Sequence, residues 1–475
     1  MENLKQYIDT FHWKEKRGVK ALGIYRREGK FVFVTTTKAV IAGGESVDTI
    51  IQLEKHRHLQ SRILDYPFIT SDQLLIISTP LLSYNEPQKT VPILAWIAGC
   101  FLKPFLKRKP TDAKYAHLFL IGEQGSGKSN TMEKVIMPIF ARKIKIKASS
   151  QTTPFTMLRE SASSNVIPQT FNEYKPSTME KSKINNLNNH MRDAYDGHES
   201  ERGRADQGHN IYEMLAPFAI AGEENPQEAA IRERTIELLF SKHDLLNEDF
   251  REQFGVLQQH YELLPCFGRS LLDTALKLTP EIVNEWYREG ERRYLPIDFP
   301  SRITSNLACI YAGLKLVQRL CSDFGHSWDY YFPIPFDECA DYLSKAVREY
   351  LLGGSNYNKS IIEETFEVMS RMRLKYDVDY CFENAGRTLC LRLSDVYDKY
   401  TKYRKDYAIV GTVLTANEFR RQFGKSVFCI KANTTVRMKG EATKVWKVDF
   451  EALSQVCEVS GFLRRDDKQD AQAQV

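Results

Sequence analysis

Eight consecutive residues, Gly122-Glu123-Gln124-Gly125-Ser126-Gly127-Lys128-Ser129, have types and a spacing suited to holding a polyphosphate. They fit G-x-x-x-x-G-K-[ST]. Glycines let backbone N–H groups close round phosphate oxygens, and a helix starting at the loop's end adds its positive pole. In that geometry Lys128 reaches the β- and γ-phosphates and Ser129 ligates Mg²⁺, with Asn130 next along the helix. A glycine turn that merely contains Lys-Ser would lack suitable flanks. Here residues 116–121 are the apolar run of a buried parallel strand, and 130–137 can open a helix. ATP and Mg²⁺ are the expected cofactors.

A phosphate loop needs a partner that activates water. The run 165–173 ends in Asn172-Glu173 about 45 residues after Lys128, a place that suits a Walker B strand. Glu173 would polarise the attacking water, and Asn172 stands where an Asp that helps hold Mg²⁺ is usual. An amide adds no charge there. The same run also reads as a surface strand ending in an acid, and Pro168 is unusual in a central strand. Residues 216–226 form an apolar run that stops at Glu223-Glu224-Asn225. Ligands of open parallel sheets bind at the carboxyl ends of strands, so Asn225 or Glu223 can touch the γ-phosphate or the water; the alternative is a plain turn. Arg232 and Arg234 stand before another apolar run. They read either as arginines that stabilise a transferring phosphoryl group or as surface ion-pair partners.

Composition suits a globular chain of two to four domains: 475 residues, 42% hydrophobic, 27% charged, net charge +5. Nine scattered cysteines without a C-x-x-C pair read as reduced thiols of a cytoplasmic protein. No signal peptide is read in residues 1–17, and 91–102 is too short to span a bilayer, so no membrane is expected. The expected fold is α/β. Its parts are a β-rich N-terminal region (1–90), with strand-like runs at 30–37 and 73–78, and a P-loop ATPase core (91–240) on an open parallel sheet. A helical lid (241–390), a C-terminal winged helix (391–463) and a polar, disordered tail (464–475) follow. The winged helix is read from an amphipathic stretch over 391–404, a short helix over 415–423, and a hairpin from 427–430 and 445–448. Its basic residues include Arg420, Arg421, Lys431, Arg437, Lys439 and Lys444.

The order of the phosphate loop, Asn172-Glu173, 191–197, Arg202-Gly203-Arg204, 221–224 and Arg232-Glu233-Arg234 resembles one family over residues 91–460. It is similar to the AAA+ helicase modules of mobile genetic elements. These comprise phage-type primase-helicases and the self-loading helicases of plasmids and staphylococcal cassettes, which are related to the minichromosome maintenance helicases. Asn172 and Pro168 depart from the family pattern, and no primase domain is read, so priming is not implied. The resemblance implies a homo-hexameric ring with ATP at each subunit boundary. It also implies a channel-lining β-hairpin within 196–211, where Arg202, Arg204 and His209 would touch phosphates of single-stranded or forked DNA. A solvated charged loop is the other reading of that segment. Arg302, in Pro300-Ser301-Arg302, resembles the lid arginine that senses nucleotide, and a surface arginine is its alternative.

The expected function is a ring-forming ATP-dependent DNA helicase that unwinds DNA for replication of a mobile element, with replication proteins as possible partners. Its rivals are an AAA+ origin-binding or remodelling ATPase and a nucleotide-switched DNA-binding regulator. A nucleotide kinase fits neither the length nor the paired arginines.

Overall fold

The computed structural model describes residues 16–53, 58–109, 111–142, 146–203, 209–224, 226, 228–297, 299–353, 361–407, 409, 414–424, 426 and 428–462. The tail expected over 464–475 lies outside them. The chain divides into two compact units, 1–350 and 351–475.

In the first unit, β1 (Gly23–Arg27), β2 (Lys30–Val34) and β3 (Ala39–Val40) form an antiparallel meander. It is not a domain apart. The Leu22 N–H donates to the Ser163 carbonyl at 2.8 Å, and the Leu59 N–H to Ser163 Oγ at 2.8 Å. The run 73–78, expected as a strand, lies inside α1 (Ser71–Ser83). Its apolar residues fit either period, and the start signal decides. The Thr70 side chain accepts from the Gln73 N–H, and the Gln73 side chain accepts from the Thr70 N–H, a capping box.

Next comes α2 (Pro87–Leu106), with proline at its first position, where no N–H is needed. It is long and apolar enough to cross a membrane, but nearly all of it is buried in the first unit. Five strands follow: β4 (His117–Gly122), β5 (Lys147–Ala148), β6 (Gln169–Tyr174), β9 (Phe218–Gly222) and β10 (Thr235–Phe240). Between the first two lies α3 (Lys128–Thr131). Between β6 and β9 lie α4 (Lys181–Asp196) and a hairpin of β7 (Glu199–Gly203) and β8 (His209–Glu213). The sheet is parallel, in the order β10-β4-β9-β6-β5. Pro168 precedes β6 rather than interrupting it. Phe119, Ile121, Phe171, Phe218 and Ile220 make one core with Leu187 and Met191 of α4.

The helices α5 (Glu248–Gln259), α6 (Leu263–Leu276), α7 (Pro280–Tyr294) and α8 (Ser301–Asp323) follow in this unit. The middle of α8 lies against α2 at backbone contact. A Cβ on Gly313 would stand 2.0 Å from the Ala95 carbonyl oxygen, so only glycine fits.

The second unit starts earlier than the 391 expected. Ile362, Phe366 and Met369 of α9 (Ile361–Arg371), assigned to the lid by sequence, share a core with residues 389–462. The strands β11 (Tyr380–Glu383) and β12 (Thr388–Leu391) come next, followed by α10 (Leu393–Asp406) and α11 (Ala416–Phe423). A hairpin of β13 (Cys429–Met438) and β14 (Glu441–Asp449) follows. Its antiparallel sheet runs β11-β12-β14-β13. The expected stripe of Leu393, Val396, Tyr397 and Tyr400 is the buried face of α10.

Candidate active site

The loop after β4 is shaped by its glycines. Gly127 (φ +94°) caps α3 in the left-handed region, and a Cβ on Gly122 would stand 2.0 Å from the Phe240 carbonyl oxygen. Lys128, only 7% exposed, folds back into the loop. Its Nζ donates to the carbonyls of Gly122 and Glu123, both at 2.7 Å, and to Ser126 Oγ at 3.2 Å. Burial lowers its pKa, against the opposing pull of Glu223 and Glu123. Three neutral oxygens are weaker partners for an ammonium than a phosphate, so an arriving polyphosphate can draw the head out of this cradle. Glu123 is held in turn by Lys242, through its N–H at 3.1 Å and its ammonium at 3.4 Å.

Asn172 and Glu173 sit on a bulge. Phe171 pairs with Ile220 and Tyr174 with Gly222, so β6 carries one residue more than β9 across this step. Glu173 takes φ +58°, a left-handed conformation that costs a non-glycine residue roughly 1–2 kcal/mol. Its N–H donates to Asn172 Oδ1 at 2.9 Å. The Asn172 amide donates to Ser129 Oγ at 3.0 Å, joining the first turn of the loop helix to β6. The Glu173 carboxylate is exposed, and among the described residues it makes no hydrogen bond or ion pair. Glu223, at the end of β9, is tied to Lys175 at 2.6 Å. That hydrogen bond, assisted by the charges of Lys175 and Lys128, lowers its pKa despite partial desolvation. Glu224 accepts from the Ser177 N–H at 2.9 Å. Asn225 lies outside the described residues.

The carboxyl ends of β4, β6 and β9 therefore gather Lys128, Ser129, Asn172, Glu173 and Glu223. The other arginines are elsewhere. The Arg234 carbonyl accepts from the His117 N–H at 2.9 Å, at the amino end of β4. Arg234 itself is turned inward. It donates to the Ala230 carbonyl at 2.7 Å and to Asp196 Oδ2 at 3.3 Å. Arg232 Nε lies 3.8 Å from the buried Glu237. Arg302, expected to touch nucleotide, opens α8 at the same amino end and pairs with Glu233. It is not brought to the phosphate loop of its own chain.

The segment 196–211, expected to hold a hairpin, contains β7 and β8 paired antiparallel, with Arg202 opposite Asn210 and His209 opposite Gly203. Arg204 lies outside the described residues. Sequence reasoning missed a cavity of about 120 Å³ beside Gly127, Asn130 and Thr131, walled by Tyr84, Phe250 and Phe254. Its aromatic walls come from two segments far from the loop in sequence, so no local pattern could flag them.

No family model and no curated protein matches the chain. The fold is nevertheless mixed α/β on a five-stranded parallel sheet. It is similar to a solved structure described as "SCCmec type IV Cch - active helicase", with a TM-score of 0.58 and 14% identity, covering 96% of this chain and 83% of that chain. The apo structure of the NrS-1 C-terminal region aligns at a TM-score of 0.30 and 11% identity, over 71% of this chain and 85% of that one, too distantly to carry an argument.

Proposed function

We propose that this chain is a ring-forming, ATP-dependent DNA helicase that unwinds DNA during replication of a mobile element. One observation carries the reading. The phosphate loop and the Asn172-Glu173 bulge stand at the carboxyl end of the sheet, whereas Arg232, Arg234 and Arg302 stand at its amino end. The two ends of β4 are five residues apart, about 16 Å. One copy therefore cannot bring its arginines to its own phosphates, but a neighbour in a ring can. The likeness to a solved helicase fold supports the same reading.

In this mechanism the loop amides and Lys128 bind the phosphates, and the Tyr84–Phe250–Phe254 cavity receives the base. Ser129 Oγ and Asn172 Oδ1, 3.3 Å apart, would suit Mg²⁺, which when bound neutralises charge on the phosphates. Glu173 takes a proton from water as the water attacks the γ-phosphorus, and the ADP oxygen leaves in line. Arg232 of one copy faces the charge developing on the neighbour's γ-phosphate. Arg202, Arg204 and His209 grip the DNA backbone.

The test is a mixture of Lys128→Ala and Arg232→Ala chains. Each alone is inactive. At equal ratio, with subunit exchange, about a quarter of the interfaces join an intact loop to an intact arginine, and ATPase returns in proportion. Absence of recovery at every ratio overturns the shared site. The remodelling or switch reading draws on the basic hairpin of the second unit, where Lys431, Arg437, Lys439 and Lys444 lie on or between β13 and β14. Strand displacement on forked DNA, which that reading does not require, separates the two.

A further inference from the structure

The hairpin β7–β8 grows from the end of α4, and the last two residues of that helix are bound to the arginine segment from two sides. Asp196 accepts from Arg234 at 3.3 Å and pairs with Lys114. The Arg234 guanidinium lies 5.4 Å from the centre of the Tyr195 ring. Tyr195 Oη donates to Asn306 Oδ1 at 2.8 Å, and Asn306 Nδ2 donates to the Glu233 carbonyl at 2.9 Å. The Glu233 carboxylate holds Arg302. The circuit Asp196–Arg234–Glu233–Asn306–Tyr195 is closed, and Tyr195 and Asn306 are buried within it. Buried polar circuits of this kind resist separate movement of their members, because a broken bond strands a desolvated group.

We propose that Tyr195 and Asp196 are positioning residues that couple the arginine segment 232–234 to the DNA-facing hairpin, with Arg234 acting as the strut between them. The inference rests on the helicase reading of the site. When Arg232 meets a phosphate of the neighbouring copy, the segment that carries it shifts. Asp196 and Tyr195 shift with it, and the hairpin that starts three residues after Asp196 follows. The nucleotide at one boundary thereby sets the stance of the hairpin on DNA.

Asp196→Asn and Tyr195→Phe, made separately in the full chain, remove the charge and the hydroxyl while keeping the shape. Three readouts are compared: ATPase without DNA, ATPase with single-stranded DNA, and hydrogen exchange of 199–213 with and without a non-hydrolysable ATP analogue. Basal ATPase is expected to stay near wild type while DNA stimulation falls by about fivefold or more. The analogue-dependent change in hairpin exchange, present in wild type, should vanish in both variants. Variants that keep stimulation and exchange response overturn the coupling. So does a parallel loss of basal ATPase and hairpin protection, which marks a structural role, and so does a wild-type hairpin blind to the analogue. A wild type with no DNA stimulation but with an analogue response that both variants abolish would sink the helicase reading and leave the coupling standing.

Discussion

Lys128 and Arg234 are both cations with little solvent, and they are held in different ways. Lys128 finds its partners within six residues of itself, in the loop it belongs to. Arg234 is held by Ala230 nearby and by Asp196, 38 residues away, at the foot of the hairpin. The phosphate loop is a self-contained piece of chemistry. The hairpin foot is assembled from α4, the segment before β10 and α8. A site of the first kind should fail completely at one residue, whereas one of the second kind should lose its parts by degrees.

The largest effect is expected at the loop. On the proposed reading Lys128→Ala removes the charge partner of the γ-phosphate and should lower ATPase on the order of 10³-fold or more, without unfolding the chain. Near wild-type turnover would remove the contrast altogether. Glu173→Gln comes next, with ATP still bound and hydrolysis slower by about 10²–10⁴-fold. Normal turnover in a stopped-flow phosphate assay would move the water-activating role to another acid, such as Glu223. The hairpin should respond more gradually. Arg202→Ala with Arg204→Ala should reduce the salt slope of single-stranded DNA binding by about one unit per lost phosphate contact, and reduce unwinding more than binding. Undiminished unwinding on forked DNA at two salt concentrations would detach the hairpin from the motor.

The smallest effect concerns how α4 is seated. His117 at the start of β4 bonds to the Met191 carbonyl at 2.7 Å, and His190 bonds to Gln169 Oε1 at 3.0 Å. Burial pushes their pKa values from 6.5 down to about 3 and about 4. Below pH 6.5 the unfolded chain takes up protons that the folded chain refuses, so stability is present above that pH and is lost as pH falls towards 4. The slope is about 1.4 kcal/mol per pH unit for each histidine fully engaged. Melting temperatures from pH 7 to 4.5 should drop more steeply for wild type than for His190→Gln. Equal slopes would mean that the histidine does not report on the seat of α4.

The same contrast explains what was legible in the sequence. The loop, its strand and its helix were readable because every partner of Lys128 is local. The order of strands and helices over 116–240 and the amphipathic face of α10 were readable from period and spacing, whereas the hairpin over 196–211 came only from the family resemblance. The helix over 73–78 was not, because its apolar run fits both periods and the Thr70–Gln73 capping pair at its start decides. The bulge at Asn172-Glu173 depends on the register of a neighbouring strand. The inward turn of Arg234 depends on Asp196, and the pairing of Arg302 on Glu233. The bulge, the Arg234 tie and the Arg302 tie each join different elements, so residue type and spacing leave them open.

The close approach of Gly313 to α2 has a mechanical consequence. A helix packed backbone to backbone at its centre cannot slide, but it can rock. Arg302 lies eleven residues before Gly313, a lever arm of about 16 Å at 1.5 Å per residue. Rocking α8 by about 4° over that fulcrum would displace Arg302 by about 1 Å and, through Asn306, carry Glu233 and Tyr195 with it. A small tilt about the glycine contact would therefore be felt at the amino end of the sheet, where Arg302 pairs with Glu233.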